Sequence, residues 1–366
     1  MNWLWQSLYS AAAMFWETLW ALVLGFSLSA FVQVFFRKEQ ITRHFGRAGL
    51  REVALATFLG AASSSCSYAA TATAKTFFKK GAALAPTLAF MFASTNLVFE
   101  LGFILWLLLG WTFVLAEVVG AFVLIVVMWL LVKLTLPKGL VETARAHIGN
   151  EEDSCCHSHG EHEMEMKGQS FKEKIRQREN WARVAGAFFM DSTMLWKEIA
   201  IGFLIAGFLM VLVPEHWWEN LFITQGTGSM RMVENAIVGP LIAGASFVCS
   251  IGNIPLASLL WSSGISFGGV ISFIYADLII IPLILIYRKY YGAKAALYIT
   301  GILFISMVSA GIIVDLLFGA LNLIPKVRPH SAIAEASFRW NYTSWLDFAA
   351  ILLSGWFVWI HFKKAK

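Results

Sequence analysis

The chain has 366 residues, of which 58% are apolar and only 14% charged, with a mean hydropathy of +0.67 and a net charge of +5. Soluble domains carry about 25% charged residues, so a soluble globular protein is excluded and repeated crossings of a hydrocarbon core of about 30 Å are expected. The positive charge lies in loops between apolar runs and reads as membrane topology, not as nucleic-acid binding.

A first span covers residues 11–36; residues 1–13 lack a basic leader region, so this span reads as a retained helix. A basic loop follows, with Arg37, Lys38, Arg43, Arg47 and Arg51. Residues 52–78 are a small, hydroxyl-rich segment around Ser63-Ser64-Ser65-Cys66-Ser67, closed by Lys75, Lys79 and Lys80. Residues 81–109 are an apolar span containing Asn96 and Glu100, and Gly110-Trp111 makes a tight uncharged connection to a span at 112–136. Residues 141–183 form a long polar linker that becomes helical near Glu179. Further spans are expected at 196–213, 265–287, 295–324 and 342–362. Residues 214–235 read as a short polar connection and 236–261 as a second hydroxyl-rich segment around Cys249. Sixteen Trp and thirty Phe fit interfacial belts and lipid-facing packing.

A shift of 183 residues aligns the two halves without gaps. Ser63 meets Ser246, Cys66 meets Cys249, Ser67 meets Ser250, Ala74 meets Ala257, Gly81 meets Gly264, Phe90 meets Phe273 and Ala93 meets Ala276. Such internal duplication is how many transporters are built. Lysine and arginine placement decides its sense. If the Cys66 segment crossed fully, the loops at 37–51 and 141–183 would lie on opposite sides although both are strongly basic. If it instead enters, breaks near Ser65-Cys66-Ser67 and returns, those loops and Lys75 to Lys80 share the cytoplasmic side. The same reasoning brings the Cys249 segment in from outside, with a break at Gly252-Asn253-Ile254-Pro255.

The expected fold is therefore an all-α membrane protein. It has an inverted repeat of three transmembrane helices plus one re-entrant broken-helix hairpin per half, and an extra C-terminal helix. The organisation is 1–140 first repeat, 141–183 cytoplasmic linker, 184–324 second repeat and 325–366 extra helix. This topology leaves Lys326, Arg328 and Arg339 outside, against the charge rule.

Thiols and hydroxyls at membrane depth are costly unless they meet partners or line a cavity. Ser65, Cys66, Ser67, Cys249, Ser250 and Asn253 are accordingly expected to form a midplane substrate site, suited to a soft metal or metalloid. The alternative reading of the two cysteines is close packing, since Cys is a common small buried residue. Asp277, in an apolar span, is a candidate for ion coupling or substrate contact, with Ser94 at the equivalent place in the first half. Asn96 and Glu100, one helical turn apart, are expected to share a face that lines the same cavity. Glu117 and Asp315 are weaker candidates.

In the linker, Cys155, Cys156, His157, His159 and His162 carry soft and imidazole ligands for zinc or copper, without the paired spacing of a structural zinc site. A solvated loop with incidental ligands is the alternative there. No phosphate-binding loop, nucleophile elbow or zinc-protease helix motif is present, so no enzyme activity is expected.

Leu59-Gly60 through Ser67-Tyr68, Phe92 to Glu100, Cys249 to Ala257, Ser266-Phe267-Gly268-Gly269 and Tyr275-Ala276-Asp277-Leu278 resemble the bacterial YraQ-like predicted permeases. That family is grouped with the ArsP organoarsenical efflux permeases. The resemblance covers the chain apart from the 141–183 linker. It implies a multi-span permease of the bacterial inner membrane that exports trivalent organoarsenicals or other metal(loid)s, and it is compatible with a homo-oligomer. The Cys/His loop is not part of the shared pattern and leaves zinc open as cargo. Two other readings stand beside it: a permease for a small anion or sulfur compound, and a metal-sensing membrane partner working through that loop.

Overall fold

The computed structural model describes residues 3–35, 43–63, 65–153, 176–212, 229–246, 250–325 and 342–364. All the regular elements among them are helices, one of the two ways a chain can satisfy its backbone groups inside a bilayer. The first half runs α1 (Trp3–Phe35), α2 (Leu50–Ser63), α3 (Ser67–Lys79), α4 (Leu84–Asn96), α5 (Phe99–Leu109) and α6 (Trp111–Thr135), then the polar helix α7 (Leu140–Asp153). The second half runs α8 (Arg178–Leu212), α9 (Ser229–Ser246), α10 (Ser250–Ser262) and α11 (Phe267–Ile274), continues into a 3-10 turn (Tyr275–Leu278), and ends with α12 (Ile281–Tyr291) and α13 (Ala293–Ala320). Helix α14 (Tyr342–Lys364) follows.

The sequence repeat is also a repeat of elements. Helices α3 and α10 are both 13 residues long and start at Ser67 and Ser250, the aligned serines. Each ends in the same turn. Ala82 N–H bonds to Phe77 O at 3.0 Å, and Ile265 N–H to Leu260 O at 3.2 Å. Gly81 and Gly264 supply the left-handed backbone that closes these turns, with φ of 100° and 103°. Helix α2 packs along α4 as α9 packs along α11, and α5 packs on α6 as α12 packs on α13.

Two helices pair with their own repeat partners, and both pairs run antiparallel. In α1 and α8, Trp3 meets Phe208 while Phe35 meets Trp181. In α6 and α13, the Thr135 hydroxyl meets Tyr298 at 3.1 Å, while Gly120 lies against Val314.

Both ends of the Cys66 segment lie together. Ala83 N–H bonds to Phe45 O at 2.7 Å, and the Phe45 and Phe77 rings stack at 5.7 Å. The chain therefore goes in along α2 and comes back along α3. In the second half, Arg231 at the start of α9 bonds to Gly264 O after α10, giving the same path. The two turns sit at opposite ends of α6. Trp261 and Phe267, flanking Gly264, pack on Phe113 at its start. Phe78, beside Gly81, meets Tyr291 and Arg145 in the region of α7 and the far end of α6.

Helices α6 and α13, of 25 and 28 residues, are long and apolar enough to cross a bilayer. Large apolar side chains face outward, Phe58 at 70%, Leu134 at 71% and Leu297 at 77% exposure, while Asp277 and Asn253 are at 0%. Apolar outside with carboxylate and amide inside is the distribution a hydrocarbon solvent selects.

Several expected boundaries are corrected. Residues 81–109 are not one span: α4 ends at Asn96 and α5 begins at Phe99. Ser94 and Thr95 hydroxyls bond back to Met91 and Phe92 carbonyls at 2.9 and 3.0 Å, satisfying the helix end from its own side chains. The 265–287 stretch is likewise bent by 43° between the 3-10 turn and α12. The second break is not at Gly252–Pro255, which lies inside α10; residues 247–249, ahead of it, lie outside the described residues. Pro255 stands in the second turn of α10, close to the start, where it removes a single donor. Residues 229–235 belong to α9, not to a loop, and residues 141–153 of the expected linker lie in α7.

Helix α7 is fixed by Arg145, whose Nε and Nη2 donate to Phe78 O at 3.2 Å and Ala82 O at 2.8 Å. Replacing Arg145 with Met removes two charge-assisted bonds. It is expected to cost roughly 1–3 kcal/mol, read as a lower unfolding temperature in detergent; an unchanged midpoint would show that this clamp is idle.

Candidate functional site

The interruptions in both halves converge on one carboxylate. Asp277 sits in the 3-10 turn, fully buried. Ser67 Oγ donates to its Oδ2 at 2.8 Å, and Ser250 Oγ donates to the same oxygen at 2.6 Å. Asn96 Nδ2 donates to Oδ1 at 3.1 Å. Ser67 and Ser250 are the first residues of α3 and α10. Ser67 follows the extended N-cap residue Cys66, so the positive end of the α3 dipole lies at the Asp277 carboxylate.

Each neighbour is held in place. Ser65 N–H bonds to Ser94 O at 2.9 Å, tying the α2–α3 break to α4. Thr71 Oγ1 bonds to Ser67 O at 2.7 Å. Tyr287 Oη donates to Leu278 O at 2.8 Å and Tyr275 Oη to Glu117 O at 2.7 Å, bracketing the 3-10 turn. Ser67, Ser250, Asn96 and Asp277 are all buried, so the site is closed to solvent in this conformation.

A family model described as "Predicted permease" (ArsP_1) matches residues 5–316. The chain belongs to the predicted permease family. It is 43% identical over 319 residues to the protein named "Putative permease Rv2963" of Mycobacterium tuberculosis, covering 87% of this chain and 78% of that one. No solved structure matches. Family membership makes the permease a transporter, set in a lipid bilayer and acting on a small-molecule substrate.

Of the residues expected at the permease's site, Ser67, Ser250, Asn96 and Asp277 come together directly. Ser65 is buried beside them, and Cys66 is half-buried at the N-cap of α3. Asn253 lies one turn into α10, fully buried, and neither atom of its amide has a hydrogen-bond partner among the described residues. Asn96 and Glu100 do not share a helix face. The chain is extended at Val98, with φ −108° and ψ 148°, which places them on different helices. Cys249 and the linker ligands Cys155, Cys156, His157, His159 and His162 lie outside the described residues. Among the described residues no cluster of three or more His, Cys, Asp or Glu is placed to hold a metal. Tyr275 and Tyr287, which brace the turn, were not expected from composition; the aromatic two residues before an intramembrane aspartate was the available signal.

Proposed function

We propose that the protein is a secondary-type permease that exports a small soft substrate, a trivalent organoarsenical or related metal(loid) species, from the bacterial cytoplasm. The observation that carries this reading is the sharing of one Asp277 oxygen by Ser67 and Ser250. Repeat-equivalent residues at the tips of two broken helices meet there, as midplane sites of duplicated transporters do. Antiparallel pairing of α1 with α8 and of α6 with α13 supports halves of opposite orientation in the membrane. With the two turns at opposite ends of α6, one hairpin enters from each face of the bilayer. Lys79, Lys80 and Arg145 then mark the cytoplasmic end.

Asp277 and Ser250 belong to one half, Ser67 and Asn96 to the other. Rocking of the halves breaks the Ser67 and Asn96 bonds and opens the site, while cargo takes over the freed donors. Cys66, at the head of α3, supplies a soft ligand at that point.

One observation favours a second reading. Three hydroxyl and amide donors that converge on one buried carboxylate, at the N-terminus of α3, would also serve a small anion that took the place of the Asp277 side chain. The Cys66→Ser/Cys249→Ser double variant separates the two. In proteoliposomes loaded with methylarsenite, the metal(loid) reading expects flux to fall by about tenfold or more. Unchanged flux rejects it in favour of the anion.

A further inference from the structure

Glu117 is unused by the site so far described. It lies on α6, with 2% of its surface exposed, and neither carboxyl oxygen has a hydrogen-bond partner among the described residues. Its backbone carbonyl accepts from Tyr275 at 2.7 Å, in the same 3-10 turn as Asp277. An isolated carboxylate cannot be held without donors in such surroundings, so a carboxyl placed there carries a proton. Asp277, by contrast, accepts bonds from Ser67, Ser250 and Asn96.

We propose that Glu117 is the proton-binding site that couples this permease to the proton gradient, an inference that rests on the reading of Asp277 as the cargo site. The groups around it are few. The 3-10 turn brings Tyr275 and Asp277; α13 carries Asp315 and Lys294; α5 carries Glu100; α4 and α11 carry no charged residue. Asp315 is engaged by Gly268 N–H at 2.8 Å. The nearest charge that changes during transport is therefore that of Asp277.

Two like charges at this depth are not both tolerated. Opening of the site for cargo admits water, which supplies the donors Glu117 lacks and screens the Asp277 charge, so Glu117–COOH gives Glu117–COO⁻ and its H⁺ passes to that water. By reciprocity, a proton returning to Glu117 favours cargo release. Exchange of one proton for one cargo is the logic of an antiporter, and it needs no nucleotide.

Infrared spectroscopy and transport test this separately. Wild-type protein in detergent at neutral pH is expected to show the carbonyl stretch of a carboxylic acid without hydrogen bonds, absent in Glu117→Gln and shifted in Asp277→Asn. Proteoliposomes carrying wild-type protein should accelerate methylarsenite flux several-fold under an imposed pH gradient. Glu117→Gln should keep the downhill flux and lose the acceleration. No such band in the wild type, or acceleration surviving in Glu117→Gln, overturns the proposal. If no variant moves methylarsenite, the cargo reading fails, and the infrared band alone decides whether Glu117 holds a proton.

Discussion

Asp277→Ala is expected to reduce methylarsenite flux in proteoliposomes to the level of empty vesicles and to destabilise the fold by about 3 kcal/mol. The substitution strips Ser67, Ser250 and Asn96 of their shared acceptor at a point with no water to replace it. A buried donor left alone costs about 1–3 kcal/mol, and three in one network do not add in full. Relief from burying a charge offsets part of the loss. Asp277→Asn keeps the shape and one acceptor oxygen, so it should recover most of the stability and none of the transport. Thermal unfolding in detergent beside the flux assay checks both halves of this result. An alanine variant that transports normally would remove Asp277 from the pathway.

The second large effect is expected at the crossing of α11 and α13. A Cβ placed on Gly311 would lie 2.6 Å from the Gly268 carbonyl oxygen and 2.9 Å from the Ser272 Cβ. Both obstacles are fixed to the α11 backbone, so no side-chain rotation relieves them. Gly311→Val therefore forces the helices apart, at a cost of about 3 kcal/mol, and carries the 3-10 turn with it. Loss of folded protein on size-exclusion chromatography, or a lowered unfolding temperature with lost flux, is the expected readout. At Gly301, on the same helix, no described atom stands within 4 Å of where a Cβ would project. Gly301→Ala should be neutral or stabilise by about 0.5–1 kcal/mol. Equal behaviour of the two variants would show that the crossing is not tight.

Much of this arrangement was legible because duplication wrote it twice. The break between Ser63 and Ser67 could be placed from a run of hydroxyls in apolar sequence, since such a run has no place on a lipid-facing helix. The meeting of Ser67 with Ser250 followed from their equal offset. The interruption after Asn96 was hidden, because no glycine or proline marks it; the signal was Ser94-Thr95-Asn96 bonding back to its own helix. Pro282, in the first turn of α12, marks the equivalent break in the second half and could have been carried back by the repeat. Conversely, Gly252 and Pro255 looked like a break and are not, since the matching positions after Ser67 stay helical in α3. The three donors of Asp277 could not be read from sequence, because they come from three separate helices.

The aspartate has no twin: Ser94 occupies its place in the other half, and spends its hydroxyl on Met91 O at 2.9 Å. A carrier made of two identical halves would be indifferent to which way it faced, its inward and outward forms being equivalent and of equal energy. One acidic residue on one side of that symmetry ends the indifference. On the proposed reading of the two halves, Asp277 is one of the residues that set the resting orientation, and moving the acid to position 94 is expected to shift the balance between inward- and outward-facing forms.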